Sequence, residues 1–314
     1  MIRYIALLAL VISSLAVPVS AQPPAIITEV RKVIGQNDFA GGEKLIAGYR
    51  AQSGITPELL AAMSWMARGS LAAKQFDAAE RYANDTYKLA TPLLAKRAMD
   101  AEAHLPIAIG AAIEVLAQVD GQRGARSEAV TFLRRELAKY KGTSIEMRIQ
   151  KNVNLLSLEG TVAPALDLSD YIGTKPPALD RLKGKVVLLF FWAHWCADCK
   201  AQAPILADLA AKYRDQGFVV VAPTQRYGYV AAGKDAAPDE EKRYIDQVRQ
   251  ASYPALEAHA VPLSEANHLR YGVSTTPTLV LVDRAGIVRL YNPGKMTLAQ
   301  LDPLIEKTLG SASR

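Results

Sequence analysis

Cysteine is scarce in this chain, with only 2 cysteines among 314 residues. That count excludes a disulfide-stapled scaffold, because such folds need several cross-links to replace a hydrophobic core. It also excludes a structural zinc site, which needs four ligands and usually two cysteine pairs. Half of the residues are hydrophobic, and a chain of this length can bury two cores. Its stability must therefore come from burial.

Long runs of like charge are also absent. The formal net charge is +6, but the basic residues are dispersed among acids and never form a run of five. Aromatic residues do not interleave with them, so the pattern lacks the features of a nucleic-acid-binding surface. We predict a generally basic surface and no nucleic-acid partner.

No apolar run is long enough to span a membrane comfortably. The longest, Ile5–Val17, falls short of the roughly 20 residues that a spanning helix needs. It follows the positive Arg3 and precedes the small residues of Val19–Ala21, the pattern of a signal peptide. We predict a signal peptide over residues 1–21, a periplasmic or otherwise exported mature chain, and no stable membrane span after cleavage. An uncleaved membrane anchor is the alternative.

The composition changes near residue 155. The preceding region is rich in Ala, Leu, Glu, Lys and Arg, with apolar residues at helical spacing and no convincing strand. We predict an all-α domain of helical hairpins over residues 22–156. Such a domain could offer a concave docking surface to a partner, or could be a cap that only packs on the second domain.

A faint internal repeat runs through this helical region. The segment Asn37–Glu43 resembles Lys74–Glu80, and a third copy is predicted over Ile107–Lys141 with its turn at Gly121–Gly124. The stretch Trp65–Pro92 resembles a tetratricopeptide repeat with a shortened turn, although the period is slightly off the usual length. Stacked helical hairpins follow from this pattern, whether or not they form a true tetratricopeptide domain.

Beyond residue 157 the pattern alternates strands with helices. The predicted strands are Ala165–Leu168, Val186–Trp192, Phe218–Val221, Thr278–Asp283 and Ile287–Tyr291. Four helices are predicted: one that begins at Cys196, and three over Pro238–Gln250, Ser264–Tyr271 and Leu298–Leu309. The last two strands flank the turn Arg284–Gly286, which predicts an antiparallel hairpin. We predict an α/β domain over residues 157–314, with helices on both faces of a mixed sheet.

The two cysteines, Cys196 and Cys199, stand three positions apart between a predicted strand and a predicted helix. A structural bridge would usually close a longer loop, because that constrains the unfolded chain more. The pair is therefore interpreted as a reversible redox disulfide. A c-type haem site is excluded because Lys200, not histidine, follows the second cysteine.

Further residues around the pair match a known family. The approach Phe191–Cys196 has the form FWAxWC, Pro204 lies eight residues after Cys196, and Thr276-Pro277 opens a strand. With these motifs the segment Leu158–Leu309, about half of the chain, resembles the TlpA/ResA-like branch of periplasmic thiol-disulfide oxidoreductases. The resemblance implies a thioredoxin-like fold, a proline kink in the active-site helix, and a cis bond before Pro277.

Roles for individual residues follow from the expected fold. Cys196 at a helix N-terminus, partly exposed, would carry a favoured thiolate and act as the nucleophile. Cys199, one turn on and more buried, would resolve the mixed disulfide. Thr276 and Pro277 would form a substrate groove in which an extended segment pairs with the Thr276 backbone. Trp195 would shield the pair and contact substrate, or would only pack in the core, as we expect for Trp192.

Residues near the pair would tune its reactivity. A carboxylate such as Asp198, about 7 Å from the Cys196 sulfur, would raise the pKa of that thiol by about one unit. Phe190 occupies the position where many thioredoxins carry a buried Asp, and His194 or Lys200 would partly substitute for it. The alternative for His194 is a partly exposed loop residue. A thiolate without unusual stabilisation favours a protein-disulfide reductase over an oxidase.

The resemblance also implies partners. Substrates would be disulfide-containing exported proteins, including those of cytochrome c biogenesis, and a membrane thiol-electron donor would keep the pair reduced. No cofactor beyond the redox-active Cys196–Cys199 disulfide and no metal are expected. Alternatives are a disulfide oxidase or isomerase, a copper-carrying thioredoxin-fold protein, and a repeat-mediated adaptor with a vestigial domain. The long insertion that includes Arg226–Tyr229 and Lys234–Arg243 would edge the active site or be an ordinary surface elaboration.

Overall fold

The computed structural model describes residues 25–253 and 261–310, so the predicted signal peptide lies outside the described residues. The helices are α1 Ala25–Gly35, α2 Phe39–Ser53, α3 Pro57–Ala72, α4 Phe76–Ala90, α5 His104–Gln122, α6 Arg126–Lys139, α7 Glu146–Ser157, α8 Ala197–Lys212, α9 Pro238–Ser252, α10 Glu265–Tyr271 and α11 Leu298–Gly310. The strands are β1 Tyr171–Ile172, β2 Val186–Phe191, β3 Phe218–Val221, β4 Val261–Pro262, β5 Thr278–Val282 and β6 Val288–Pro293. Short 3-10 turns link several of these elements.

The helical region, α1 to α7, consists of three antiparallel hairpins and a last helix. Each hairpin turns at a residue with positive φ: Asn37 at 60°, Lys74 at 58° and Gly124 at 88°. The same hydrogen bonds close all three turns; for example, the amide of Asp38 donates to Val33 O at 2.9 Å, and that of Gln75 donates to Ser70 O at 2.8 Å. The predicted repeat is therefore a repeated turn between paired helices. Its assignment as a true tetratricopeptide domain stays a prediction.

Small residues let the hairpins approach closely. A side chain at Gly69 would collide with Ile34, and one at Gly42 would meet the sulfur of Met66 at 2.5 Å. The hairpins bury an apolar layer that includes Leu59. No residue in the described range 25–157 belongs to a strand. An N-terminal region made of helices alone is confirmed.

A four-stranded mixed sheet organises the second half, in the order β3-β2-β5-β6. The strands β2 and β3 run parallel, whereas β2–β5 and β5–β6 are antiparallel. All six residues of β2 are buried, as expected for a central strand covered on both faces. The apolar run from Val186 predicted this strand correctly, and the hairpin β5–β6 was also correctly predicted.

The predicted strand Ala165–Leu168 is wrong. That segment is irregular. The chain makes one isolated antiparallel bridge before it, between Val162 and Ile287, and the first strand after it is Tyr171–Ile172, which forms a small antiparallel sheet with β4. Asp167 makes polar contacts in place of a ladder: its amide donates to the Asn267 side chain at 2.7 Å, and its carboxylate accepts from Ser264 at 2.7 Å. These bonds satisfy the backbone without a strand.

The helical region joins the sheet through a continuous seam. After α7, the amide of Gly160 donates to Val288 O at 2.9 Å, which attaches the connecting segment to β6. The helix α7 also packs on α10, where Asn154 Nδ2 donates to Arg270 O at 3.3 Å. Gly272, with φ 61°, lies so close to Lys151 that a Cβ would overlap the Lys151 backbone. The exact boundary between the two predicted domains stays a prediction.

Candidate active site

The cysteine pair lies at the end of the central strand. Cys196 is the N-cap of α8, and the amide of Cys199 donates to Cys196 Sγ at 3.0 Å. A disulfide joins the two residues, whose Cα atoms are 5.2 Å apart. Cys196 is 4% exposed and Cys199 is fully buried. The order of exposure agrees with the prediction, but Cys196 is buried rather than partly exposed.

A loop tied to the neighbouring strand sets the entry to this helix. Trp192 Nε1 donates to Ala222 O at 3.0 Å, and Thr224 Oγ1 donates to Trp192 O at 2.7 Å. Trp192 is fully buried and packs on Tyr253, with ring centroids 4.7 Å apart. Trp192 is therefore a core residue, as predicted, and its packing fixes where the chain turns toward Cys196.

The segment before β5 completes the site from a distant part of the sequence. The Thr276-Pro277 bond is cis, as the resemblance implied. The carbonyl oxygen of Thr276 lies 3.4 Å from Cys196 Sγ. The sulfur thus contacts an amide of its own helix on one side and a backbone carbonyl on another.

Trp195 is the exposed aromatic residue of the site. Half of its surface is accessible, so its position excludes the simple core-packing alternative. Its ring meets that of Tyr227 edge-on, with centroids 5.5 Å apart. Because Tyr227 belongs to the predicted insertion, that insertion does border the active site.

His194 is buried, so its interpretation as a partly exposed loop residue is wrong. Its exposed fraction is 2%, and three tyrosine rings surround it edge-on. These are Tyr227 at 5.6 Å, Tyr229 at 5.3 Å and Tyr244 at 5.4 Å. Burial lowers the pKa of His194 below its ordinary value, although the neighbouring Glu241 favours the charged form. The imidazole is therefore neutral at neutral pH.

Glu241 is the carboxylate beneath this histidine. Its side chain is 1% exposed, and Oε1 lies 3.4 Å from His194 Nε2. The amides of Tyr227 and Gly228 donate to its two oxygens at 2.5 and 2.9 Å. These bonds give both buried carboxylate oxygens a hydrogen-bond partner, and they hold the insertion against the active-site loop.

Asp198 has a partner that the sequence did not indicate. Its carboxylate lies 2.8 Å from Lys295 Nζ, and both side chains are 59% exposed. The ammonium offsets part of the field that Asp198 exerts on Cys196. The predicted rise in the thiol pKa is correspondingly smaller.

Lys295 belongs to a loop that links the elements of the site. The amide of Gly294 donates to Pro277 O at 2.8 Å, and that of Met296 donates to Gln202 Oε1 at 2.8 Å. Gln202 is a buried residue of α8. This loop therefore connects the cis-proline segment to the active-site helix.

Two further predictions concern the helix and its surroundings. Pro204 lies inside α8, where it removes one backbone donor as a helix-kinking proline would. Phe190 is fully buried in the same apolar cluster as Cys199, so no carboxylate occupies that position.

Within the described ranges, no group of three His, Cys, Asp or Glu side chains is arranged to hold a metal ion.

Sequence reasoning missed several residues of the site. Glu241, Tyr244 and Lys295 lie 42, 45 and 96 residues after Cys199 and belong to no motif. The available signals were the density of tyrosine in the insertion and, for Glu241, its place in the charged stretch Lys234–Arg243. Neither range of described residues, 25–253 or 261–310, contains a helix with the length and apolar character needed to cross a bilayer.

Comparison with known proteins agrees with this geometry. A family model described as thioredoxin-like matches residues 184–288. The thioredoxin-like protein YneN of Bacillus subtilis is 27% identical over 148 residues, which is 47% of this chain and 79% of the relative. The thiol-disulfide oxidoreductase ResA of Bacillus anthracis is 29% identical over 148 residues, covering 47% of this chain and 77% of that protein.

A solved structure also matches part of this chain. The thiol:disulfide interchange protein of the thioredoxin family from Chlorobium tepidum TLS has 20% identity and a TM-score of 0.38, and the match covers 48% of this chain and 97% of that one. The family model and the mixed sheet establish that this chain contains a thioredoxin-like domain, preceded by a helical region. The predicted fold class is confirmed.

Proposed function

We propose that this protein is an exported thiol-disulfide oxidoreductase that reduces disulfides of other exported proteins through Cys196 and Cys199. The observation that carries the proposal is the cap of α8, where the amide of Cys199 donates to Cys196 Sγ at 3.0 Å. The same amide and the helix N-terminus would stabilise a Cys196 thiolate in the reduced protein. The name of the relative ResA, a thiol-disulfide oxidoreductase, supports the same class of reaction.

The reaction consists of two exchanges. The Cys196 thiolate attacks one substrate sulfur; the substrate disulfide breaks, a mixed disulfide forms, and the released sulfur takes up a proton. The Cys199 thiolate then attacks Cys196 Sγ, which breaks the mixed disulfide and releases the second substrate thiol. Two electrons pass from the cysteine pair to the substrate, and the pair ends as a disulfide.

Residues around the pair would position the substrate. An extended segment would pair with the Thr276 backbone, whose carbonyl lies 3.4 Å from Cys196 Sγ. Trp195, half exposed and supported by Tyr227, would pack on the same segment. Both contacts would bring a substrate disulfide to the face of Cys196 opposite Cys199.

The electrostatics favour electron donation. A nearby cation would stabilise the thiolate and make the pair more oxidising. His194, whose pKa burial lowers, supplies no charge at neutral pH. The ion pair between Asp198 and Lys295 is close to neutral overall. Neither group therefore adds to the stabilisation that the N-terminus of α8 gives the reduced form, and this favours a reductant.

The cellular setting extends the proposal. A periplasmic or otherwise exported location rests on the signal-peptide pattern of residues 1–21. A reductase in an oxidising space needs an external supply of electrons, so a membrane thiol-electron donor is part of the proposal. Exported disulfide proteins, including those of cytochrome c biogenesis, are the proposed substrates.

Equilibration of the purified protein against glutathione buffers tests the direction. We expect a midpoint potential more reducing than about −150 mV, within the range of known reductants. A more oxidising value would replace the reductase with an oxidase or isomerase. Stoichiometric copper retention by the reduced protein, without turnover of protein disulfides, would instead favour the copper carrier.

A further inference from the structure

A groove of about 290 Å3 crosses one face of the helical region. All four helices α1, α3, α5 and α7 contribute to it, so it forms only when the hairpins stack. Its defining residues are Arg31, Trp65, Arg68, Ile107 and Arg148, and we call it the arginine groove. None of them takes part in the cysteine site.

The guanidinium groups of two arginines stack on the ring of Trp65. The Cζ atoms of Arg31 and Arg68 lie 4.5 and 4.6 Å from the centroid of its ring. Stacking of this kind stabilises each cation without neutralising it. The ring thus holds two positive charges at the groove.

The carboxylate next to the groove is shared among other cations. Glu114 lies 2.7 Å from Arg148 Nε and 3.3 Å from Lys151 Nζ. These two cations hold the pKa of Glu114 at about 2, even though burial opposes its ionisation. One carboxylate therefore stands against four cations when Arg31 and Arg68 are included.

Arg68 shows that positive charge is in excess. Burial, with repulsion from Arg148, lowers the pKa of Arg68 to about 10, although Glu114 opposes the shift. Its Nε–H is buried and finds no acceptor among the described residues. At the edge of the groove, two other carboxylates lie near His104: Nδ1 of His104 is 3.5 Å from Glu102 Oε2 and 3.9 Å from Glu58 Oε1. A buried donor and uncompensated charge favour an anionic ligand.

The groove also has an apolar side. Ile107 is 39% exposed and lines the same space as Trp65. The cations converge on one confined groove and do not follow a long track, as a nucleic-acid backbone would require. A carboxylate with an apolar neighbour complements this surface better.

We propose that the arginine groove binds an acidic, partly apolar peptide segment of a partner protein. A carboxylate of that segment contacts Arg31 and Arg68, and an apolar side chain contacts Ile107 and Trp65. This interaction surface lies outside the redox site and does not depend on the proposed function.

Fluorescence anisotropy of the full-length mature protein tests the proposal. The probe is a short fluorescein-labelled peptide of alternating leucine and glutamate, compared with its glutamine counterpart. We expect saturable binding of the glutamate peptide, and binding at least about tenfold weaker for the neutral one. Absence of saturable binding, or equal affinity for both peptides, would overturn the proposal.

Two neighbouring variants locate the site. Arg31→Gln should weaken binding about tenfold, which corresponds to about 1.4 kcal/mol. Lys32→Gln makes the same charge change at the next exposed residue, outside the groove, and should leave affinity unchanged. Equal losses in both variants would reduce the effect to overall charge and contradict a specific groove. Circular dichroism checks that both variants keep their helix content.

Competition separates a peptide from a free anion. Unlabelled glutamate peptide should displace the probe at far lower concentrations than succinate or inorganic phosphate. If either small anion displaced it equally well, the groove would be a small-anion site and the peptide assignment would be wrong. Cys196→Ser should bind the probe as the wild type does, which keeps this test separate from the redox reaction.

Discussion

The helical region and the thioredoxin-like domain each bury a carboxylate, but the groups that surround the two carboxylates differ. In the thioredoxin-like domain, buried Glu241 accepts two backbone amides and faces a neutral histidine. In the helical region, Glu114 is outnumbered by cations, and Arg68 keeps an unpaired buried donor. In the first arrangement both carboxylate oxygens accept backbone amides, and these bonds lie beside the loop that leads to the cysteines. The second has charge left over, which is characteristic of a surface that receives a ligand.

The largest expected effect is that of substituting Cys196. It should abolish the proposed redox reaction of the thioredoxin-like domain and leave peptide binding by the helical region unchanged. Cys196→Ser removes the sulfur that we propose attacks substrate, so we expect turnover of an insulin-like disulfide substrate with dithiothreitol to fall to the uncatalysed rate. Cys199→Ser should instead accumulate a mixed disulfide with substrate, because no resolving thiol remains. Turnover retained by Cys196→Ser would contradict the assignment of the nucleophile.

A side chain at the seam should disturb both regions at once. In Gly272→Ala the new Cβ would overlap the Lys151 backbone, and we expect the free energy of unfolding to fall by about 3 kcal/mol or more. Denaturant titration measures the loss.

Gly286→Ala is the matched control for the seam. Gly286 also has positive φ, 86°, but nothing lies within 4 Å of the position that a Cβ would take there. Only backbone strain of about 1–2 kcal/mol should appear in this variant. Equal losses in the two variants would mean that the Lys151 backbone does not hold its position against Gly272.

Acid should weaken the thioredoxin-like domain before the helical region. Burial lowers the pKa of His268 to about 4, although backbone groups of Ser264 and Trp192 favour its charged form. The unfolded chain binds this proton near pH 6.5, so stability is full above that pH and is lost as the pH falls. Between pH 7 and 5 the loss amounts to about 2 kcal/mol. In His268→Gln this part of the pH dependence should disappear from denaturation curves.

The stability of the helical region should depend on pH in a lower pH range. Because the folded pKa of Glu114 is about 2, against about 4.5 when unfolded, its contribution is full above the unfolded pKa. It is then lost as the pH falls from 4.5 toward 2. A Glu114→Gln variant should leave the change between pH 7 and 5 intact. If it removed that change, the assignment to His268 would be wrong.

The smallest expected effect concerns the ion pair beside the cysteines. Asp198→Asn removes a carboxylate near Cys196, so the pKa of the thiol in the reduced protein should fall. The fall should be less than about one unit, because Lys295 already offsets the charge. Asp208→Asn, the same change further along α8 at an exposed position, should leave it unaltered. Ultraviolet absorbance of the thiolate measures both, and an upward shift in Asp198→Asn would contradict the argument.

How much the sequence could predict depended on how far apart the relevant residues lie. Cys196, Cys199 and the run from Val186 are local signals, and they identified the strand, the helix and the disulfide-bonded pair correctly. Thr276-Pro277 is distant but carries its own motif, so it could be recognised as well. Glu241 and Lys295 have no motif, because a buried carboxylate and a surface lysine acquire their roles only through tertiary contacts. His194 was misjudged for the same reason, since its burial comes from the tyrosines of the insertion.

The helical region shows the same limit more clearly. Periodicity predicted the helices, and the internal repeat marked the segments that turn at Asn37, Lys74 and Gly124, because both signals depend on neighbouring residues. The arginine groove depends on side chains from Arg31 to Arg148, brought together by stacking. No local pattern distinguishes these arginines from those on the outer surface.

The seam between α7 and α10 has a consequence for biosynthesis. The helix α10 begins about 110 residues after α7 ends, which at about 5–20 residues per second is a delay of roughly 6–22 s on the ribosome. The helical region can be complete throughout that time, with the α7 surface that will meet α10 still in water. Polar groups such as Asn154 and the Lys151 backbone lie on this surface. These groups can therefore stay hydrated while the rest of the chain is made.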